Sequence, residues 1–205
     1  GIGGYDWSPD GTMVAYTKAE TDTKKEKAIK ERFGAFGVEG EEYKQNHLWV
    51  LNFNYDSVVM AGQLPCYTSK KDSTKTNDSK QDCYLLPVGR RLTEGNFTVN
   101  GFAWKPGGKE IAFNRQANPL INSGLSSDIV ILNIATRELK TLVSNPAGDF
   151  INRWSPDGME FIYNSAVNDS VSNFYKNNHL YIFNLNTAIS REIAQDIDEN
   201  KSVID

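Results

Sequence analysis

The sequence has few cysteines, few histidines, no excess of positive charge and no long apolar run. Two cysteines and two histidines in 205 residues are too few for a disulfide framework or a four-ligand zinc site, and we expect no metal or cofactor. The chain has 22 basic and 26 acidic residues, a net charge of −4, so it lacks the excess of positive charge that is typical of nucleic-acid-binding proteins. No apolar stretch approaches the ~20 residues of a membrane-spanning helix. The composition, 39% hydrophobic with 16 glycines, is that of a globular protein.

The two cysteines flank one strongly polar segment. Cys66 and Cys83 enclose residues 68–82, which contain no apolar side chain. A disulfide across this loop would suit an oxidising compartment and would remove roughly 3 kcal/mol of chain entropy from the unfolded state. Two unpaired thiols fit the same pattern, so both interpretations stay open.

One turn signature occurs three times in the chain. It reads Trp-Ser-Pro-Asp-Gly at residues 7–11, Trp-Lys-Pro-Gly-Gly at 104–108 and Trp-Ser-Pro-Asp-Gly at 154–158, and an apolar run follows each time. Proline fixes φ for the turn, while Asp and Gly tolerate the positive φ that closes it, so each copy predicts a tight hairpin. The predicted structural residues are Trp7, Pro9, Asp10, Gly11, Trp104, Pro106, Gly108, Trp154, Pro156, Asp157 and Gly158.

Two further strands repeat in register with the turn. The third strand is an apolar run closed by Asn at 47–52, 128–133 and 179–184, and Trp49 is predicted as one of its core residues. A fourth strand follows at 90–93, 139–142 and 190–193. Four antiparallel strands in about 50 residues are typical of a β-propeller blade, whereas the strand content is high for a solenoid, the alternative architecture. The predicted fold class is all-β: a partial β-propeller of three four-stranded repeats.

The spacing between the turns defines the predicted blades. Residues 1–95 form blade 1, with a helical insertion at 21–46 and a polar loop insertion at 55–88, residues 96–144 form blade 2, and residues 145–205 form blade 3 with the start of a further strand. Within the first insertion, Thr23 and Glu26 form a capping box for a helix over 21–33 that Gly34 ends. Since propellers close with four to eight blades, we expect a piece of a larger propeller or a unit that pairs with a second copy into a six-bladed ring.

The repeats resemble those of TolB-type periplasmic proteins and of the prolyl oligopeptidase family, especially its acylaminoacyl-peptidase and dipeptidyl-peptidase branch. The resemblance rests on the three turns and on three stretches: Glu-Arg-Phe-Gly at 31–34 with Glu-Glu-Tyr at 41–43 leading into His-Leu-Trp-Val at 47–50, Arg-Leu-Thr-Glu-Gly at 91–95, and residues 97–104. It implies a periplasmic or extracellular location and a C-terminal α/β-hydrolase domain with a Ser-Asp-His triad in the parent protein. This chain has no Gly-x-Ser-x-Gly elbow, and its histidines, His47 and His179, occupy equivalent repeat positions. We therefore predict no catalytic residue in this chain.

The resemblance also implies a role for an acidic pair. In the dipeptidyl-peptidase branch, paired glutamates on a propeller insertion hold the free amino terminus of the substrate, and Glu41 and Glu42 are the matching pair. A solvated acidic loop is the alternative. The predicted function is a non-catalytic propeller segment that gates and orients peptides for a hydrolase domain. The alternative is a TolB-like propeller that binds a protein partner and has no enzymatic domain.

Overall fold

Three four-stranded antiparallel sheets follow one another along the chain in a computed structural model that describes residues 1–35, 43–53, 89–166 and 176–196. In each sheet the strands lie side by side in chain order. Blade 1 contains β1 (Ile2–Trp7), β2 (Met13–Ala19), β3 (Asn46–Asn52) and β4 (Arg90–Arg91); blade 2 contains β5 (Thr98–Trp104), β6 (Glu110–Gln116), β7 (Asp128–Asn133) and β8 (Leu139–Val143); blade 3 contains β9 (Asp149–Trp154), β10 (Glu160–Ala166), β11 (Asn178–Asn184) and β12 (Ile189–Ile193). The all-β propeller fold expected from the sequence is confirmed.

The repeated turn joins the first two strands of each blade. In blade 1, Gly11 adopts φ +70 and its N–H donates to the Ser8 carbonyl at 2.8 Å. The Asp10 carboxylate accepts from the Ser8 hydroxyl at 2.6 Å and from the Thr12 N–H at 3.1 Å. These hydrogen bonds, the one from Ser8 foremost, hold the pKa of Asp10 below its usual value. The side chains of the turn thus fix its geometry independently of the rest of the blade.

The turns of the other blades end in the same left-handed glycine, although blade 2 also has a positive φ one residue earlier, at Gly107. In blade 3 the Ser155 hydroxyl donates to Asp157 at 2.6 Å and lowers its pKa in the same way. Blade 2 lacks this serine–aspartate pair, and there the Gly108 N–H donates to the Lys105 carbonyl at 3.1 Å. Gly108 has φ +68, as Gly158 does in blade 3. A left-handed glycine therefore closes the turn in each blade.

The core lies between the sheets, with blade 2 in the middle. Strand alternation sends Ile111 and Phe113 of β6 towards blade 1, where they join a cluster with Leu48. Ala112, between them in sequence, lies on the opposite face and packs with Phe161 of blade 3. All five side chains are at most 1% exposed. Burial of each large apolar side chain stabilises the fold by roughly 1.5–3 kcal/mol, so face-to-face packing holds the blades together.

Trp49 is not the core residue that the sequence predicts. It is only half-buried, on the face of blade 1 turned away from blade 2, and the Lys18 ammonium lies 5.0 Å from its ring centroid. Its neighbours Leu48 and Val50 point to the other face and are buried. The apolar run of β3 is therefore buried on one face only.

Two helices lie in connections between second and third strands. Helix α1 (Lys24–Phe33) has the predicted capping box, with Thr23 as N-cap, and Gly34 ends it with φ +87. It begins later than the predicted residue 21 because Thr23 itself has the extended backbone of a cap. Helix α2 (Ile121–Gly124) was not predicted. It follows Asn118, whose side-chain oxygen accepts from the Leu120 N–H at 3.0 Å. Neither helix is long and apolar enough to cross a membrane, in the part of the chain that the structure describes.

Candidate functional site

The first strands of the three blades lie next to one another and line a groove. Strand β5 contacts both β1 and β9, and the groove of about 500 Å³ runs across these strands and the turns that follow them. Its lining residues are Asp6, Pro9, Phe102, Ala103, Trp104, Pro106, Asn152, Arg153, Trp154, Ser155 and Pro156. We call this surface the axial groove, since first strands line the central channel of a propeller. It is assembled from all three blades.

The tryptophans of the repeated motif form the rigid part of the axial groove. Trp104 and Trp154 are each 7% exposed. The Trp104 indole N–H donates to the Asp6 carbonyl of blade 1 at 3.2 Å, which fixes the ring across the blade boundary. The equivalent Trp154 N–H has no acceptor among the described residues, and the Lys105 ammonium lies 5.7 Å from the centroid of its ring. Prolines of the three turns add further apolar surface beside these rings.

Polar side chains of both charge signs complete the groove. The Asp6 carboxylate accepts from the Trp7 N–H at 2.9 Å and is exposed. Arg153 is exposed on β9, and its neighbour Asn152 donates to the Asn164 side-chain oxygen. A carboxylate and a guanidinium beside an aromatic floor can bind the charged and amide groups of a peptide.

Asparagines on the second strands position the first strands. The register of each first strand is irregular, which marks a β-bulge in every blade. At the bulge of blade 2, the Asn114 amide donates to the Asn100 carbonyl at 2.7 Å, and its oxygen accepts from the Ile151 N–H of blade 3 at 2.9 Å. Asn164 occupies the equivalent position in blade 3. Sequence reasoning missed this pair, although an aromatic residue followed by Asn recurs 50 residues apart, at 113–114 and 163–164.

The two histidines occupy equivalent strand positions in different blades. His47 is 1% exposed, with Nδ1 3.3 Å from the Thr93 hydroxyl and Nε2 3.4 Å from a Glu20 oxygen. Burial lowers the pKa of His47 and favours its neutral form. His179 Nδ1 lies 2.6 Å from a Glu192 carboxylate oxygen. The polar contacts of each histidine are therefore with groups of its own blade, while the His47 ring lies edge-on to Phe97 of blade 2 at 5.7 Å between centroids.

A second depression adjoins His47 at the edge of blade 1. It measures about 500 Å³ and lies between the start of α1 and the ends of β2 and β3. The Arg91 guanidinium donates to Glu20 at 3.1 Å and to the Thr93 carbonyl at 2.7 Å. These contacts tie β4 to β2 and indicate a structural role for the polar groups at this edge.

Four residues singled out in the sequence lie outside the described residues: Glu41, Glu42, Cys66 and Cys83. The acidic pair follows helix α1 along the chain, and the cysteines belong to the insertion between β3 and β4. Their roles stay predictions. In the described ranges, no group of three histidine, cysteine or acidic side chains is placed to bind a metal ion.

The sheets, turns and stacking order define the chain as a set of β-propeller blades. No protein-family model matches it, and no curated protein matches it. Among solved structures, TolB from Acinetobacter baumannii is similar with a TM-score of 0.53 and 13% identity over 97% of this chain and 33% of that chain. An oligogalacturonate lyase in complex with manganese is similar with a TM-score of 0.51 and 11% identity. The match covers 93% of this chain and 40% of the lyase. A puromycin-hydrolyzing peptidase from Mycobacterium tuberculosis is similar with a TM-score of 0.50 and 13% identity. The match covers 93% of this chain and 23% of the peptidase.

These similarities extend over almost the whole chain but over less than half of each similar protein. At 11 to 13% identity they show the fold alone, which this chain shares with part of TolB and part of the peptidase. The resemblance to TolB-like and prolyl-oligopeptidase-type propellers, drawn from the turn motifs, is thereby confirmed at the level of the fold.

Proposed function

We propose that this chain is a non-catalytic β-propeller segment of a serine peptidase of the prolyl-oligopeptidase type. In this proposal the axial groove receives peptides and orients them for a hydrolase domain elsewhere in the parent protein. The observation that carries the proposal is the composition of the groove, where Trp104 and Trp154 lie beside Asp6 and Arg153. A floor of fixed aromatic rings with a few placed charges is typical of a ligand-binding cleft.

The groove offers a peptide several kinds of contact. The proline rings, with the small exposed part of each indole, can pack against side chains at little cost in conformational entropy because they have few or no rotatable bonds. The Asp6 carboxylate can accept hydrogen bonds from an ammonium group, and the Arg153 guanidinium can donate two parallel bonds to a carboxylate. The groove therefore favours short peptides with charged groups over neutral, compact ligands.

Titration of the isotopically labelled chain with short peptides tests the groove. We expect amide shifts in β1, β5 and β9, and about tenfold weaker binding by Arg153→Ala. Lys140→Ala is the matched control, because Lys140 is an exposed cation on β8, the outer strand of blade 2. Peptides that cause no shifts in the first strands, or equal losses in both variants, would contradict the proposed groove.

A second test concerns the absence of catalysis. The chain alone should not cleave peptides above the background of a heat-denatured sample. Hydrolysis that copurifies with the folded chain through two chromatographic steps would overturn the non-catalytic assignment.

Glu41 and Glu42 are proposed to hold the amino terminus of the peptide. Two adjacent carboxylates can accept several charge-assisted hydrogen bonds from one ammonium group. In the full-length parent, Glu41→Gln with Glu42→Gln should raise KM for a peptide with a free amino terminus and leave KM for its N-acetylated form unchanged. An unchanged KM for both peptides would refute this role.

A TolB-like propeller that binds a protein partner is the alternative function. The two functions differ in what they predict for the native gene. The peptidase function requires a Gly-x-Ser-x-Gly elbow encoded after the propeller, whereas a TolB-like protein would have further blades and no such elbow. We also propose that the protein is periplasmic or extracellular, and that a disulfide joins Cys66 and Cys83 there. Thiol labelling of the denatured, unreduced protein should find no free cysteine, and two labelled thiols would contradict the disulfide.

A further inference from the structure

One asparagine–glycine pair lies in the bulge of strand β5. Asn100 is followed by Gly101, and no other asparagine in the 205 residues precedes a glycine. The register of β5 with β6 passes from Val99 to Phe102, so neither residue of the pair has a partner in the ladder. Both residues are exposed. Blade 2 packs against a described blade on each side, so the pair does not lie on an end face of the three blades.

The bulge explains why a glycine follows Asn100. Gly101 has φ +87, which side chains rarely tolerate, and a Cβ placed on it would lie 3.0 Å from Asn114 Nδ2. That Asn114 amide nitrogen donates to the Asn100 carbonyl, so it is fixed beside the bulge. Because Gly101 has no side chain, nothing on that residue shields its backbone nitrogen. The requirement for glycine therefore leaves the Asn100 side chain next to an unshielded main-chain nitrogen.

We propose that Asn100 is a site of spontaneous deamidation in the folded chain. The Gly101 nitrogen attacks the side-chain carbonyl carbon of Asn100 and gives up its proton, and the side-chain nitrogen leaves as ammonia. The leaving nitrogen donates one hydrogen bond, of 3.2 Å, to Gln116 Oε1. The product is a five-membered cyclic imide. Water then opens the ring at one of its two carbonyl carbons and gives aspartate or isoaspartate, with no other reactant.

Two aspartate–glycine pairs provide a comparison within the same chain. Asp10–Gly11 and Asp157–Gly158 lie in the repeated turns, and their cyclisation would give the same imide with loss of water. In both turns the glycine N–H donates to a serine carbonyl, at 2.8 and 2.9 Å. Hydrogen bonds, foremost those from the serine hydroxyls, hold the pKa of both carboxyl groups below the usual value, and an ionised carboxylate is a poor electrophile. The structure therefore protects these two pairs, whereas it exposes Asn100.

Conversion of Asn100 alters the contact between blades 2 and 3. In isoaspartate the main chain runs through the side-chain carbons, which adds one carbon to the backbone of β5 at the bulge. The Asn100 carbonyl then leaves the position at which it accepts from the Asn114 amide at 2.7 Å. The oxygen of that amide accepts from the Ile151 N–H at 2.9 Å, so the change reaches β9, the first strand of blade 3. This inference does not depend on peptide binding by the axial groove.

Peptide mapping of an aged sample tests the proposal. The folded chain is incubated for weeks at neutral pH, digested, and examined by mass spectrometry and by enzymatic methylation of isoaspartate. We expect conversion at Asn100 and none at Asp10 or Asp157. The chain denatured in guanidinium chloride is the control, because all three pairs lose their structure there and should convert. An intact Asn100 in the aged folded sample would overturn the proposal. Isoaspartate at either turn of that sample would also overturn it, because the structure would then not select the site.

Hydrogen exchange at Ile151 measures the consequence of conversion. Its amide should exchange about fivefold faster in the converted chain than in the fresh chain, because the hydrogen bond to Asn114 is weakened. Asn100→Gln is the matched variant, since its longer side chain would need a six-membered ring and cyclises far more slowly. Aged in the same way, this variant should keep its mass and its exchange rate at Ile151. Equal exchange at Ile151 before and after conversion would refute the effect on blade 3.

Discussion

The three motif tryptophans provide a controlled test of how the blades hold together. Trp7 and Trp104 occupy the same position in the same turn motif, and among the described residues Trp104 packs against an earlier blade whereas Trp7 does not. Trp7 packs edge-on against Phe53 at 4.8 Å between ring centroids and is 45% exposed, whereas Trp104 is 7% exposed. Replacement of each by alanine therefore compares packing between blades with packing inside one blade.

The expected losses follow from burial. A fully buried tryptophan replaced by alanine costs about 3–5 kcal/mol of unfolding free energy, and Trp104 also loses its hydrogen bond to the Asp6 carbonyl. Scaled by its smaller buried fraction, Trp7→Ala should cost about 1.7–2.8 kcal/mol. Since a domain is stable by only about 5–15 kcal/mol, Trp104→Ala will leave the chain marginally stable.

Urea unfolding followed by circular dichroism measures the difference. With a slope of about 2 kcal/mol per molar urea, the midpoint of Trp104→Ala should lie about 1 M below that of Trp7→Ala. Equal midpoints, or a larger loss for Trp7→Ala, would refute the idea that contacts between blades carry the stability of the fold.

Three further predictions concern the turn, the helix and one buried histidine. Gly108→Ala should cost about 1–2 kcal/mol because its φ of +68 strains any L side chain, while Gly4→Ala, whose Cβ meets open space, should leave the urea midpoint unchanged. Thr23→Ala should cost α1 about 1 kcal/mol and speed amide exchange at Lys27, and unchanged exchange would contradict its role as the cap. The folded pKa of His47 lies below its unfolded value near 6.5, so the unfolded chain takes up the proton first, and stability should fall as pH drops through about 6.5 until the folded pKa is passed. His47→Gln should flatten this dependence, and a wild-type slope in that variant would refute it.

Local chemistry explains why most of the fold could be predicted from the sequence. The tight turn depends on side chains within a few residues of one another, such as Ser8, Asp10 and Gly11, so each repeat was visible in the chain itself. The capping box of α1 is local in the same way. Helix α2 was missed because its start depends on the Asn118 side chain rather than on a hydrophobic pattern.

Burial and the axial groove were less predictable because they depend on contacts between blades. Trp49 was predicted to be buried because it lies in the apolar run of the third strand. No sequence pattern tells which face of β3 packs against blade 2. Asp6 and Arg153 share one groove although 147 positions separate them in the chain. Such a pairing follows only from the stacking of three sheets.

The most direct test of the account is to detect proximity across both boundaries between blades. Nuclear Overhauser effects should connect Gly108 with Pro9 and Gly158 with Pro106, because a Cβ placed on either glycine would lie within 3.8 Å of the proline Cδ, which puts a glycine α-proton near the proline ring. The account predicts both connections in one folded sample. Their absence in a chain that retains the strand pairing within each sheet would show that the three sheets do not stack as successive blades.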